Sequence, residues 1–338
     1  MISVNHSKRK VLTQAVALSA SASAAFSPLA FMAPAFAQAA WPTRPVRWTV
    51  SQPAGAGPDI IARYLAESLS KVWGQPVVIE NKPGGQNVIG AQAAARAAAD
   101  GYNFFYGTTA AMVTNSLTFK SLPYDPEKDF IPVGFVGRSP FVIAVAANTG
   151  IKSLGDLLAQ AKAQPAKMSM ATEGPKTFSG MLADHVAALA GTTWNHVPYT
   201  KASDAIQDVV GGRVTAICLP EAALLPLIRS GQLQALAVST AQRVPTLAAV
   251  PTLADTFKGF EFAGWNGLFA PAGTPSDVIA KVNRDLNVLL QQAETKERLL
   301  SLGSIADGGM STDGFASFMK SERERWAGIV KSIGIKPE

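Results

Sequence analysis

Four short segments of this 338-residue chain carry residue types suited to holding an oxyanion: residues 52–57, 108–111, 172–177 and 200–203. Each is rich in Gly, Ala, Thr or Ser, which let main-chain N–H groups approach a ligand or add hydroxyl donors. Each falls where a strand pattern gives way to a helix pattern. Such loops meet in the crevice of an open α/β sheet, and the free N–H groups at a helix start attract carboxylates. The chemistry they suggest is capture of a small organic acid. The same compositions also serve ordinary turns. The candidate ligand-binding residues are Gln52, Pro53, Ala54, Gly55, Thr108, Thr109 and Ala110, with Thr172, Lys176, Thr177, Thr200 and Ser203 facing them.

Signatures of catalysis are absent from the sequence. It has three histidines: His6 near the N-terminus, His185 within a helical pattern and His196 ahead of a strand. The latter two read as structural. No Gly-x-Ser-x-Gly or His-Glu-x-x-His motif occurs. Gly55-Ala56-Gly57 lacks the third glycine and the later acid of a dinucleotide site. Asp125, Glu127 and Asp129 share a Pro-containing loop with Lys128 and read as solvated surface. No Cys/His cluster offers a metal site. The lone Cys218 cannot close an internal disulfide and reads as a small buried hydrophobe. The expectation is no enzyme, no cofactor and no metal. The formal charge of +6 includes no dense Lys/Arg run, which argues against nucleic-acid binding.

The elements that must position these loops alternate between strand and helix, the pattern of α/β layers. Strands are expected near 46–51, 77–80, 103–107, 140–147, 168–172, 214–219, 233–239 and 267–270. Pro58 and Asp59 open a helix whose Ile60, Ile61, Tyr64, Leu65, Leu69 and Val72 recur at core spacing. Helices follow near 88–98, 154–163, 178–190, 202–210 and 222–230. Thr274 is expected to cap another, and Ser311 or Thr312 a last one with a Phe/Met/Trp face. No flexible linker is visible, so the chain should cross between lobes on strands, giving a hinge.

Residues 1–37 read as a signal peptide. Lys8-Arg9-Lys10 is the basic region, an Ala/Leu/Val-rich stretch follows, and Ala35-Phe36-Ala37 is the small-x-small cleavage pattern. Cleavage is expected after Ala37. No acid occurs in that segment, so its removal lowers the formal charge from +6 to +3.

A series of landmarks runs through the rest in order. They are Trp41-Pro42-x-Arg44-Pro45-Val46, Gly57-x-Asp59-Ile60-x-Ala62-Arg63, Gly74-Gln75-Pro76-Val77-Val78 and Glu80-Asn81-Lys82-Pro83-Gly84. Asp100-Gly101-Tyr102, Leu122-Pro123-Tyr124-Asp125, His196-Val197-Pro198-Tyr199 and Phe269-Ala270-Pro271-Ala272-Gly273-Thr274-Pro275 complete it. The chain resembles the receptor family of tripartite tricarboxylate transporters, the Bug-type extracytoplasmic solute-binding proteins, over nearly all of residues 41–335. The resemblance implies an α/β, two-lobed clamshell of the type II periplasmic binding-protein class. It implies a small (di)carboxylate ligand held by backbone amides and hydroxyls, delivery to membrane permease subunits, and no catalysis. The expected organisation is lobe 1 over 38–139 plus 266–338 and lobe 2 over 140–265, in a periplasmic monomer. A sensory binding protein feeding a signalling partner is the alternative.

The sequence departs from the family at several ligand positions. Ser51, Gln52 and Ala54 stand where an aromatic residue and prolines are usual. Glu173, Pro175 and Lys176 occupy a normally neutral loop, Thr200-Lys201-Ala202 replaces Lys-Gly-Gly, and Leu219 replaces an aspartate. Lys176 could pair with a ligand carboxylate or be neutralised at the surface by Glu173.

Overall fold

A computed structural model describes residues 41–337. The signal-peptide reading of residues 1–37 and the cleavage point after Ala37 lie outside them. Alternating apolar residues make the strands: in β1 (Val46–Val50), Val46, Trp48 and Val50 are wholly buried. The others are β2 (Val77–Asn81), β3 (Asn103–Thr108), β4 (Phe130–Ser139), β5 (Phe141–Ala146), β6 (Ser169–Thr172), β7 (Asn195–Pro198), β8 (Ala216–Pro220), β9 (Leu233–Val238), β10 (Gly264–Pro271) and β11 (Ile305–Ala306). The helices are α1 (Gly57–Trp73), α2 (Val88–Ala95), α3 (Asn115–Thr118), α4 (Leu154–Ala163), α5 (Phe178–Ala190), α6 (Ala202–Val210), α7 (Glu221–Arg229), α8 (Leu253–Thr256), α9 (Ser276–Gln291), α10 (Ala293–Ser301) and α11 (Thr312–Ser332). A one-turn π-helix, Ala110–Thr114, precedes α3.

The strands form two sheets. One has the order β11-β4-β10-β3-β1-β2 and the other β7-β6-β8-β5-β9. In the first, Val50 lies opposite both Asn81 and Tyr106 in parallel register, so β1, β2 and β3 end at one edge. In the second, β6 runs parallel to β7 and β8, which brings their ends to a common edge as well. The loops that the sequence pointed to leave from these two edges.

Only Pro140 separates β4 from β5, and the chain returns along β10. The two crossings lie side by side. Ser239 N donates to Phe141 O at 2.9 Å, Phe141 N to Ser239 Oγ at 3.0 Å, and Asn266 Nδ2 to Ser139 Oγ at 3.3 Å. The last helix, α11, packs across the same region. Its buried Trp326 meets Phe178 of α5 at 5.1 Å and Phe262 at 4.5 Å between ring centroids.

Some local expectations need correction. Val72 is 63% exposed, and the neighbouring Trp73 takes the buried position. Ile60 turns out of the core as well. Thr274 does not cap α9; its hydroxyl donates to Pro271 O at 2.8 Å, and Pro275 occupies the cap position. Ser311, and not Thr312, caps α11 by accepting from Gly314 N. The ten-residue β4 carries no clear strand signal in the sequence, since Pro132, Gly134 and Gly137 interrupt its pattern.

Candidate functional site

Between the loop-bearing edges of the two sheets lies a cavity of about 720 Å³, within the range of small-ligand sites. Three helices of eight or more residues begin at its wall. Gly57 and Pro58 open α1, Phe178 opens α5, and Pro220 and Ala222 flank the start of α7. Thr108, Thr109 and Ala110 add the turn from β3 into the π-helix. Ile61, Phe141, Phe178, Trp265 and Leu302 give the cavity apolar walls. Among its lining residues none is Lys, Arg or His. A carboxylate here would be met by main-chain donors and the positive ends of helix dipoles.

The first-sheet wall is held by a buried carboxylate. Asp59, 1% exposed, accepts from Gly55 N at 2.8 Å, Arg63 Nε at 3.0 Å and Asn81 Nδ2 at 2.7 Å. Burial opposes its charge, but the bonds from Arg63, Asn81 and Gly55 outweigh it and hold the pKa below the ordinary range. Asn81 Nδ2 also donates to Gln52 O at 3.0 Å. The loop from β1 to α1 is therefore fixed at both ends. Gln52 Nε2 donates to Asn87 Oδ1 at 2.9 Å, whereas the buried Gln52 Oε1 has no partner among the described residues.

Trp265 is anchored from behind. Its Nε1 donates to Glu322 Oε2 at 2.8 Å, and Glu322 also receives Arg325 Nη2 at 2.6 Å. Thr109 Oγ1 accepts from Trp265 N at 2.8 Å and faces Trp265 O at 3.3 Å, so that hydroxyl is committed to the wall.

The candidate residues divide on this geometry. Gln52, Pro53, Thr108, Thr109 and Ala110 line the cavity together. The other seven are not among its lining residues. Ala54 and Gly55 form the turn behind Pro53, with Gly55 at φ +84°. Thr172 is buried and its hydroxyl accepts from Gly174 N at 3.1 Å. Thr177 caps α5, accepting from Gly180 N at 3.3 Å and donating to Gly174 O at 2.6 Å. Lys176 is partly buried in the same loop. Thr200 and Ser203 are exposed at the start of α6.

Several wall residues escaped sequence reading. Pro220 ends and Ala222 follows β8, which is parallel to β6, so the strand-end rule would have found them. Phe141, Trp265 and Gly303 arrive through long-range pairing and carry no local signal. Gly303 has φ +76°, and a Cβ there would stand 2.5 Å from Ala222 Cβ, so the two walls touch at this point.

Glu173 also lines the cavity, and Ser179 Oγ donates to its Oε2 at 3.2 Å. Its ion-pair partner is not Lys176: among the described residues no cation lies within ion-pair distance of it. Burial by surrounding protein raises its pKa, an effect that the Ser179 bond partly offsets. The remaining titratable candidates are structural. His196 Nε2 pairs with Asp184 Oδ1 at 2.6 Å, and His185 stacks on Phe260 at 5.4 Å with its pKa lowered by burial and by Arg325. Cys218 is fully buried; burial first, and then the Glu173 charge, push its thiol pKa up, away from a reactive thiolate.

Comparison with known proteins gives concordant results. The family model described as tripartite tricarboxylate transporter family receptor matches residues 61–335. Protein BugT of Bordetella pertussis is 34% identical, covering 88% of this chain and 91% of its own. The structure of R. palustris Rpa4515 with adipate superposes with a TM-score of 0.80 at 31% identity, over 88% of this chain and 100% of that one. The structure of periplasmic binding protein BugD gives a TM-score of 0.76 at 30% identity, over 88% and 100%. The mixed α/β, two-sheet architecture is thus the two-lobed fold of periplasmic binding proteins.

Proposed function

This chain belongs to the tripartite tricarboxylate transporter receptor family, and we propose that it captures a small organic acid in the cavity between its two sheets and delivers it to membrane permease subunits. The observation that carries this reading is the cavity's construction. Three helix starts converge on an apolar chamber whose lining residues include no basic side chain. Such a site favours an anion with an apolar body, held through main-chain N–H groups. The adipate in the related structure is a ligand of this chemical kind.

Lobe 1 comprises residues 38–139 plus 266–338 and lobe 2 residues 140–265, with the paired crossings beside Pro140 as the hinge. Gln52, Pro53, Thr108, Thr109 and Ala110 meet the ligand directly. Ala54, Gly55, Thr172 and Thr177 shape the loops behind them. Lys176, Thr200 and Ser203 approach from lobe 2 as it closes. Closure is favoured only by the ligand's greater affinity for the closed form. The protein works as a periplasmic monomer and releases its ligand unchanged. Family membership and the BugD likeness support the location. No helix among the described residues is long and apolar enough to cross a membrane.

The test is thermal unfolding of the mature chain with millimolar dicarboxylates, aromatic acids and amino acids. A ligand at one hundred times its Kd adds about 2.7 kcal/mol, or a rise of roughly 5 °C. If no small acid shifts the transition, acid capture is wrong.

A further inference from the structure

The two walls of the cavity differ electrically. On the first-sheet wall the carboxylate at a helix start, Asp59, is paired with Arg63 and sits behind the lining. On the second-sheet wall two carboxyls stand at helix starts. Glu173 precedes α5 and Glu221 begins α7. Neither has a cation within ion-pair distance among the described residues. Glu221 is 1% exposed; its Oε1 is bonded by Thr246 Oγ1, and its Oε2 has no partner among the described residues.

Glu173 is the one charged residue among those lining the cavity. Its side chain is exposed where it lines the chamber, and nearby protein still raises its pKa. Glu173 N donates to Ser179 Oγ at 3.0 Å, and Ser179 Oγ reaches back to Oε2, so the carboxyl is fixed in place by its own loop. Phe141 and Phe178, their rings 4.6 Å apart, supply neighbouring apolar wall. A carboxylate lining such a wall takes a donor well and a second anion badly.

Building on the acid-capture reading, we propose that Glu173 selects ligands with one carboxylate and, at the opposite end, a hydrogen-bond donor: a hydroxyl, amide or ammonium group. The ligand's carboxylate lies against residues 52–53 and 108–110, and its donor end faces Glu173. A diacid of equal length places its second carboxylate against Glu173 and is rejected. This narrows the (di)carboxylate class to acids with a single carboxylate and a polar, donating tail. The selection is made by repulsion as much as by attraction.

The test uses two length-matched sets with the mature chain at pH 7.5, read by isothermal titration calorimetry. One set is adipate, 6-hydroxyhexanoate and 6-aminohexanoate; the other is terephthalate and 4-hydroxybenzoate. In at least one set the donor-ended acid binds at least about tenfold more tightly than its matched diacid. Glu173→Gln keeps the shape and removes the charge, so that ratio falls to within about threefold. A diacid that binds wild type as tightly as its donor-ended partners in both sets overturns the proposal and leaves acid capture standing. A preference that survives Glu173→Gln in folded protein does the same. If no member of either set binds wild type, acid capture itself fails and the selection falls with it. The wild-type ratio decides even where the variant does not fold.

Discussion

The first-sheet wall and the second-sheet wall of the cavity are built from the same parts and stabilised in opposite ways. Both use strand-to-helix loops with a carboxylate near the helix start. In the first, Asp59 is satisfied by Gly55, Arg63 and Asn81, and it stiffens the loop carrying Gln52 and Pro53. In the second, Glu221 is buried and Glu173 is exposed to the cavity, neither has a cation within ion-pair distance among the described residues, and desolvation by nearby protein raises the pKa of both. The contrast separates two tasks. A carboxylate paired with a cation preorganises donors for the ligand, whereas one without a cation keeps a binding preference at some cost to stability.

The largest expected effect comes from breaking the satisfied side. Asp59→Ala leaves three donors short of an acceptor, one of them on Arg63, and should cost about 3 kcal/mol in urea unfolding. Ligand affinity should fall as the Gln52 loop loosens. A loss under about 1 kcal/mol would mean that the network does not hold the wall.

Next is the point where the walls touch. Gly303→Val adds a side chain against Ala222, 2.5 Å from where its Cβ would sit. Affinity should drop by about tenfold or more if the bound form needs this contact. Gly74, at φ +65° with open space around it, is the control. Gly74→Val carries the same kind of backbone strain and should lower the melting temperature while leaving affinity unchanged. Equal affinity losses in both would remove Gly303 from the closing surface.

The smallest effect sharpens the unsatisfied side. For Glu173 the ordinary pKa is 4.5, and burial lifts the folded-state value above it, with partial relief from Ser179. An acid with a raised folded pKa is easier to keep protonated in the folded state. Its favourable contribution is complete below pH 4.5 and is lost as pH rises through the folded value. Ligand-free Glu173→Gln should therefore melt slightly higher than wild type at pH 7.5, the effect being kept small by the exposure of Glu173 to solvent. The gap should close as pH approaches 4.5. A variant that melts lower than wild type at pH 7.5 would show that the ionised carboxyl is already satisfied.

Local chemistry was the legible part of this protein. Pro58 and Asp59 announced α1, Thr177 sat where α5 begins, and the Gly- and Thr-rich loops fell at strand ends, because each depends on a few adjacent residues. Five of the twelve candidate ligand residues line the cavity, all from the loop after β1 and from the end of β3 and the turn after it. The lobe 2 candidates do not line the cavity here, because a hydroxyl's sequence position does not say where its hydrogen bonds go. Thr172 and Thr177 spend theirs on the loop's own backbone, while the adjacent Glu173 and Phe178 face the chamber. Trp265, Phe141 and Gly303 were illegible for another reason. Their positions follow from β10 pairing with β3 and β4, from β5 pairing with β8, and from contact between distant helix ends. Charge placement was half legible: Glu173 stood out in its loop, but only the fold shows that it faces the cavity without Lys176.

The most direct measurement is native mass spectrometry of the mature chain and of Ala223→Trp, which fills the chamber from α7, each incubated with the same panel of small organic acids. Wild type should form one-to-one complexes with at least one acid, and Ala223→Trp, folded by circular dichroism, should form none. Complexes that persist undiminished in Ala223→Trp, or a wild type that retains no acid, would contradict capture between the two sheets.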